Sequence, residues 1–554
     1  MELTGGQVLA QSLKIEGVDT LFALPGIQMD YLFDAIWEER EHYRVVHPRH
    51  EQATAYMADG FARATGRVGT AVTVPGPGLL NAAAGLSTAY ACNSPVLMVS
   101  GQIASDQIGK GIGALHEVRD QLETISAVTK SAERALRPSE IPAMVRRSMR
   151  ELQTGRPRPA EIEVPPDVLA AVEDVTLLEP ESWSREELHR ADPDLIEEAA
   201  RLLGRAERPL ICSGGGVLAA SAWDEVRQLS AMLEAPVLMT SNGRGAVSDR
   251  DYHAQTGRAA TMQLVPAADA ILVIGSRFAL ASSASFGGAT AFEAAVVQIE
   301  IDPEELGRNH EPAVGLLGDA KGTARALLER IPRYNRSRPS RCEELEEVRA
   351  RSRAFLAGAP LQSALGAVIR EELPDDGFLV AESTQVGYWA QGGGFEIYEP
   401  RTMVTSGYQG TLGYGFATAL GVQVGQPERK VVSINGDGGF MYNVQELATQ
   451  VQQQIPLVTV VFNDNAYGNV RRIQTLRYNG HTIATRLHNP DFVRLAESFG
   501  MEGIRANGPE ELRIALRRAL ADVTPALIEV PMPPSEELEG AFPMQQLPPR
   551  PKLQ

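Results

Sequence analysis

The run VVSINGDGGFMYNVQELATQVQQQIPLVTVVFNDNAYG, residues 431–468, constrains the fold more than any other part of the chain. Apolar Val431, Val432 and Ile434 lead into the turn Gly436-Asp437-Gly438-Gly439. Phe440, Val444, Leu447, Ala448 and Val451 then recur at helical spacing, which predicts one helix after the turn. Pro456 precedes a second apolar run, 457–462, that ends on Asn463, Asp464 and Asn465. Strand, turn, helix, strand is a unit of parallel sheet, and both strand ends of such a unit face one edge. Asp437 and Asp464 therefore converge, although 27 positions separate them. Two hard oxygen donors beside a glycine turn suit Mg²⁺, which keeps coordination sites for phosphate oxygens. Gly438 and Gly439 let backbone N–H groups approach those phosphates at a helix N-terminus. A lone Gly-Asp-Gly is more often a surface turn; the paired strands at this spacing argue for a metal-diphosphate site.

The rest of the chain bounds the answer. Its 554 residues suggest roughly three or four domains. A formal net charge of -18 argues against general binding to nucleic acid or anionic membrane. Cys92, Cys212 and Cys342 have no metal-ligand spacing and are too few for a disulfide framework, which fits a reduced cytoplasm. The N-terminus MELTGGQVLAQSL lacks the charged and apolar regions of a signal peptide. No uncharged apolar stretch reaches 18 residues, so no membrane span is expected.

Short apolar runs at 70–74, 96–100 and 162–164 alternate with helical patterns in a first block, 1–175. An acidic linker follows around 179–187. In a second block, 190–335, the runs 210–212, 270–274 and 296–301 are followed by Gly214-Gly215-Gly216, Gly275-Ser276-Arg277-Phe278 and Asp302-Pro303. Apolar strand followed by glycine or polar turn is the pattern of a doubly wound sheet. A charged linker, 333–353, ends in a helix and leads to a third block, 357–532. Residues 533–554, rich in Pro and Gln, form a tail or a lid. The expected fold is α/β, with three doubly wound parallel-sheet domains; the first and third share a rhythm of strands and helices without a plain sequence repeat.

A second chemical feature lies in the first block. Glu51 follows the apolar pair Val45-Val46 and opens a helical pattern kept slim by Ala55, Ala58, Gly60 and Ala62. An isolated Glu there is usually a first-turn carboxylate favoured by the helix dipole. Downstream, Val74-Pro75-Gly76-Pro77-Gly78-Leu79-Leu80-Asn81 is a stiff glycine-rich loop at a strand end, where backbone can approach a ligand.

With these segments together, the chain resembles the thiamine diphosphate-dependent enzymes of the acetolactate synthase-like family. The likeness runs from TGGQVLAQSLKIEGVDTLFALPG to TPALIEVP. It is strongest in RHEQATAYMADGFARATG, VPGPGLLNAAAGLSTAYACNSPVLMVSGQ, GRPRPAEIEVPPDV, YQGTLGYGFATALG and the Gly-Asp-Gly segment. The resemblance implies pyrimidine-binding, central and diphosphate-binding domains, and active sites between two subunits of a homodimer or homotetramer. It implies that Glu51 bonds N1′ of the cofactor's aminopyrimidine, that the Gly410 carbonyl accepts from its 4′-amino group, and that Leu412 props the cofactor in a bent shape. Asp437, Asp464 and the Ala466 carbonyl would hold Mg²⁺. Pro75, Gly76, Asn81, Gly387, Gly436, Gly438, Gly439, Tyr467 and Gly468 complete the implied cofactor-binding set. Some relatives hold FAD in the central domain, others ADP; Gly214-Gly215-Gly216 and Gly275-Ser276-Arg277-Phe278 would line such a site.

The implied reaction is carboligation. An enamine formed from a 2-oxo acid, aldehyde or acyloin donor adds to a second carbonyl compound, with the chain supplying placement and one proton relay. Several positions depart from the family pattern. Asp464 replaces the usual Asn. Leu115-His116 replaces the Phe-Gln of acetolactate synthases, Ile473 their Trp and Asn469 their Met, and the N-terminal loop reads Leu24-Pro25-Gly26-Ile27-Gln28. His116 and Gln28 are therefore the candidates for handling the substrate's oxygen or a proton, since a His both donates and accepts near neutral pH. Val74 and Val470 are apolar where decarboxylases place a catalytic His or Glu, which weighs against the alternative, a 2-oxo acid decarboxylase or acyloin lyase. A flavin- or NAD-dependent oxidoreductase is a distant alternative: no G-x-G-x-x-G with a following acid is present.

Overall fold

The computed structural model describes residues 1–279 and 292–542. Residues 280–291 of the second block and 543–554 of the expected tail lie outside the described residues.

Three six-stranded parallel sheets organise the chain. The first contains β1 (Thr20–Ala23), β2 (Arg44–Val46), β3 (Gly69–Thr73), β4 (Val96–Gly101), β5 (Ser131–Arg134) and β6 (Ala160–Val164), in the order β2-β1-β3-β4-β6-β5. The second contains β7 (Pro209–Ser213), β8 (Val237–Met239), β9 (Ala254–Gln255), β10 (Ala270–Ile274), β11 (Ala295–Glu300) and β12 (Val314–Leu317), in the order β9-β8-β7-β10-β11-β12. The third contains β13 (Phe378–Ala381), β14 (Met403–Val404), β15 (Val431–Gly436), β16 (Val458–Asn463), β17 (Glu502–Arg505) and β18 (Ala526–Pro531), in the order β14-β13-β15-β16-β18-β17. The first and third sheets thus repeat one strand order, which is the physical basis of the rhythm in the sequence. The second follows the 3-2-1-4-5-6 order of dinucleotide-type folds. Strands such as β3, β4 and β16 are buried at every residue. Helices on both faces make them continuous apolar runs instead of alternating ones.

The described chain divides into two compact units. One comprises Met1–Arg185 with Ser406–Glu428 and Asn443–Leu457; the other comprises Glu186–Thr405, Arg429–Tyr442 and the residues from Val458 onward. In the first unit, helix α1 (Glu51–Thr65) is clasped between α2 (Pro77–Cys92) and α3 (Tyr414–Gly425). The contact requires small residues. A Cβ on Gly60 would lie 2.0 Å from the Thr418 carbonyl oxygen, one on Gly421 1.9 Å from the Met57 oxygen, and one on Gly85 2.6 Å from the Ala55 side chain.

One expectation is corrected. The run after the glycine turn is not one helix but two short ones, α4 (Asp437–Phe440) and α5 (Glu446–Gln452). The break falls around Asn443, whose buried side chain donates to the Gly413 carbonyl at 2.6 Å. A short polar side chain bonded to distant backbone competes with helix continuation. α4 is a single turn, so any diphosphate there would meet a few local N–H groups without the field of a long helix.

Candidate active site

The first unit builds a rigid frame around Glu51. His50 caps α1 through its ring, which accepts the Gln52 N–H at 3.2 Å. Beneath that cap sits Glu446, the first residue of α5, which is fully buried. Its carboxylate accepts the Arg49 N–H at 2.9 Å, the His50 N–H at 3.1 Å and the Thr449 hydroxyl at 2.6 Å. Burial pushes the Glu446 carboxyl above the usual range, while these hydrogen bonds pull it down. Glu446 thereby fixes the backbone that presents Glu51 and satisfies N–H groups that the start of a helix leaves open. Glu51 itself is half-buried, and its Oε2 accepts the Asn81 amide of α2 at 3.0 Å. Asn81, which sequence reasoning assigned to the cofactor, is placed against the acid. Gly410 adopts φ 62° and is exposed, as is Leu412, at 36%. Their loop is tied to α2 by Thr411 and Thr88, whose hydroxyls lie 3.0 Å apart.

Gln28 and His116 meet in the same unit. The Gln28 Nε2 donates to the Leu115 carbonyl at 3.0 Å, so its Oε1 faces the His116 Nδ1 at 2.8 Å. With the amide so oriented, Nδ1 is the ring nitrogen that donates to Gln28 Oε1. His116 has φ 70°, a left-handed conformation that costs of order 1 kcal/mol and is concentrated at functional sites. Its carbonyl presses on Gly76, where a Cβ would lie only 2.2 Å away. Pro75 lies beside Gly76 in the turn that leads into α2.

The second unit brings Asp437 and Asp464 together at the ends of β15 and β16, whose register pairs Gly436 with Phe462. Burial, and then the Asp437 charge, push Asp464 up to about 7. Asp437 is also raised, chiefly by burial. Two acids that oppose each other's ionisation in a buried pocket are a donor set that a divalent cation relieves. The surroundings keep the space: a Cβ on Gly468 would lie 2.1 Å from Asp464 Oδ2, and one on Gly439 2.3 Å from Glu382 Oε1. A Cβ on Gly438 would lie 2.8 Å from the Tyr467 ring. Ala466 donates its N–H to Asp464 Oδ1 at 3.1 Å. Gly387 donates its N–H to the hydroxyl of Thr384, which at 2.8 Å caps the short helix Gln385–Trp389. Among the described residues no group of three or more His, Cys, Asp or Glu is placed to hold a metal. Two carboxylates and a carbonyl suit Mg²⁺, whose remaining positions go to water and phosphate. The residues present therefore fit a magnesium diphosphate.

Sequence reasoning missed Glu446, Gln121 and Asn489. The Asn489 amide reaches three acceptors: Asp437 Oδ2 at 2.6 Å, Asn463 Oδ1 at 3.0 Å and Asn465 Oδ1 at 3.4 Å. Outer partners of this kind orient ligands, and Asn489→Ala is expected to weaken magnesium-dependent thiamine diphosphate binding ~10–100-fold, measured by titration calorimetry.

In the central sheet the glycine turns after β7 and β10 pack on each other. A Cβ on Gly214 would lie 2.2 Å from the Gly275 oxygen, and one on Gly275 2.5 Å from the Gly216 Cα. Packing alone accounts for these glycines.

Comparison with known proteins places this geometry in a family. Residues 3–124 match the family model described as the N-terminal TPP binding domain of thiamine pyrophosphate enzymes, 196–327 the central domain, and 382–530 the C-terminal TPP binding domain. The chain belongs to the thiamine pyrophosphate enzyme family and is a thiamine diphosphate-dependent enzyme. It is 32% identical to a probable acetolactate synthase large subunit of Methanocaldococcus jannaschii, over 97% of this chain and 93% of the relative. It is 32% identical to a probable 2-ketoarginine decarboxylase, AruI, of Pseudomonas aeruginosa, over 95% and 94%. It is 30% identical to the acetolactate synthase isozyme 2 large subunit of Escherichia coli, over 98% and 97%.

Proposed function

We propose that the chain is a magnesium- and thiamine diphosphate-dependent carboligase that joins a 2-oxo acid, aldehyde or acyloin donor to a second carbonyl compound. The observation that carries the reading is Glu51, presented at a capped helix start by buried Glu446, in a chain that also pairs Asp437 with Asp464. The bound cofactor supplies a carbon acid that adds to carbonyl groups and accepts the electron pair of a breaking C–C bond. Glu51 would exchange a proton with N1′ of the aminopyrimidine, its carboxyl held by Asn81. The Gly410 carbonyl would accept from the 4′-amino group, and Leu412 would supply the apolar prop. Asp437, Asp464 and the Ala466 carbonyl would hold Mg²⁺, and Gly436, Gly438, Gly439, Tyr467, Gly468 and Gly387 would hold the diphosphate. His116 offers its Nε2 to the substrate, with Gln28 holding the ring.

Val74 is buried and Val470 is 49% exposed; neither can protonate a carbanion to release an aldehyde, which favours ligation over plain decarboxylation. The chain offers no reason in its central glycines for FAD; an absorbance spectrum of the purified protein tests for it. The domain limits 1–175, 190–335 and 357–532, a cytoplasmic location, and a homodimer or homotetramer belong to the same reading. Among the described residues no helix is long and apolar enough to cross a membrane.

The test is mass spectrometry of products from a panel of 2-oxo acids and aldehydes with thiamine diphosphate and Mg²⁺. Condensed hydroxyketones are expected. Free aldehyde alone, in the presence of an acceptor, would transfer the assignment to a decarboxylase.

A further inference from the structure

Behind the Gly76 turn lies a buried polar network that the reading above does not use. Glu161 and Glu163 of β6 are fully buried, two residues apart on one face of the strand. Glu163 Oε1 accepts from the Gln102 amide at 3.1 Å and from the Arg134 guanidinium, and its Oε2 accepts from the Gln121 Nε2 at 2.6 Å. Glu161 Oε1 accepts from the Ser100 hydroxyl at 2.6 Å. Its Oε2 has no partner among the described residues. Burial, and then the neighbouring Glu163 charge, push Glu161 well above the usual carboxylate range.

Gln121 converts this pair into geometry. Its Nε2 also donates to the Ser100 hydroxyl at 3.1 Å and the Gly101 carbonyl at 2.9 Å. Those acceptors fix the amide, so its Oε1 must face the other way, where it accepts the Gly76 N–H at 2.8 Å. Gly76 is held at φ 57° and ψ -113°, with the His116 carbonyl against its Cα. The turn it belongs to starts α2, which carries Asn81 to Glu51. Gln121 is only 3% exposed, so its orientation is not shared with solvent.

Resting on the proposed function, we propose that Gln121 is a positioning residue: anchored by the Glu161–Glu163 pair, it holds the Gly76 amide and through that turn sets both His116 and the Asn81–Glu51 contact. The charged groups that face it are Glu161 and Glu163 of β6 and Arg134 of β5. Asp120 and Glu123 beside it are exposed, and Asp120 accepts the Glu123 N–H at 3.0 Å.

Two variants test this. Gln121→Glu keeps an acceptor for Gly76. When protonated it donates to Glu163 as the amide does; when ionised it opposes Glu163. Its turnover number is therefore expected to fall ~10-fold or more, relative to the parent, between pH 6 and pH 8. Gln121→Met is neutral and of similar length but cannot accept, so its loss should be the same at both pH values. An independent readout is hydrogen–deuterium exchange of the peptide containing Gly76 in the cofactor-free protein, corrected for intrinsic pH dependence. Exchange is expected to rise at pH 8 but not at pH 6 in Gln121→Glu, and at both in Gln121→Met. Unaltered Gly76 exchange in both variants, or a pH-independent loss in Gln121→Glu that merely tracks its melting temperature, would overturn the proposal. If the parent turns over no carbonyl substrate, the carboligase reading fails, while the exchange measurement still decides whether Gln121 holds the turn.

Discussion

Glu51→Ala is expected to lower turnover ~10²–10⁴-fold, about 3–5 kcal/mol of barrier, while magnesium-dependent binding of thiamine diphosphate stays close to that of the parent. The separation follows from where Glu51 sits. Its carboxyl accepts the Asn81 amide at 3.0 Å and stands at the first turn of α1, and it is not one of the residues assigned to the diphosphate. Removing it deletes a proton-transfer group without touching the diphosphate donors. The backbone should hold as well, because Glu446 secures Arg49 and His50 through their N–H groups, not through the Glu51 side chain. Glu51→Gln is the sharper version: it keeps the length and a partner for Asn81 but has no exchangeable acid. Steady-state kinetics and calorimetry on both variants check this. Turnover unchanged in either would remove Glu51 from the chemistry, and loss of binding in both would make it a structural residue.

How much of this was legible in the sequence depended on how local the signal was. Central strands such as β3, β4, β10 and β16 read clearly, because burial on both faces makes each an apolar run, whereas the partly exposed polar edge strands β5 and β17 did not read. The convergence of Asp437 and Asp464 also read clearly, because it needs only two neighbouring parallel strands and their C-terminal turns. Glu51 stood out through its place before a run of small residues, of which Ala55 lies against α2 and Gly60 against α3. The break between α4 and α5 did not read, since apolar periodicity persists across it while the Asn443 partner, Gly413, lies 30 positions away. The positioning residues were silent for the same reason. Glu446 meets Arg49 across 397 positions, Asn489 meets Asp437 across 52, and Gln121 meets Gly76 across 45. A buried Glu, Asn or Gln becomes conspicuous only when its partners are known, because burial without partners would be too costly to tolerate. His116 was legible as a departure from a family pattern, but its left-handed backbone and the proton on Nδ1 come only from the fold.

Asp437→Ala should abolish magnesium-dependent binding of thiamine diphosphate, with the apparent affinity falling by at least ~100-fold, since even outer-shell losses at metal sites reach that size. The residue has two tasks. It supplies one of the two carboxylates at the strand ends, and it accepts the Asn489 amide at 2.6 Å, which ties it to Asn463 and Asn465. Alanine removes a hard oxygen donor and leaves that amide without its shortest contact. Asp464 carries an opposite expectation. It stands at the end of the strand beside that of Asp437, and its pKa is pushed up to about 7 by burial and the Asp437 charge. Asp464→Asn keeps an oxygen donor while removing a negative charge beside the diphosphate, so it should bind the cofactor more tightly than the parent, by roughly 1 kcal/mol or a few-fold in affinity. Calorimetric titration of thiamine diphosphate with Mg²⁺, and again with EDTA, separates the effects. The parent and Asp464→Asn should lose binding in EDTA, and Asp437→Ala should show none to lose. Binding by Asp437→Ala that matches the parent and ignores EDTA would mean that the paired acids at the ends of β15 and β16 are structural, and that the cofactor is held elsewhere.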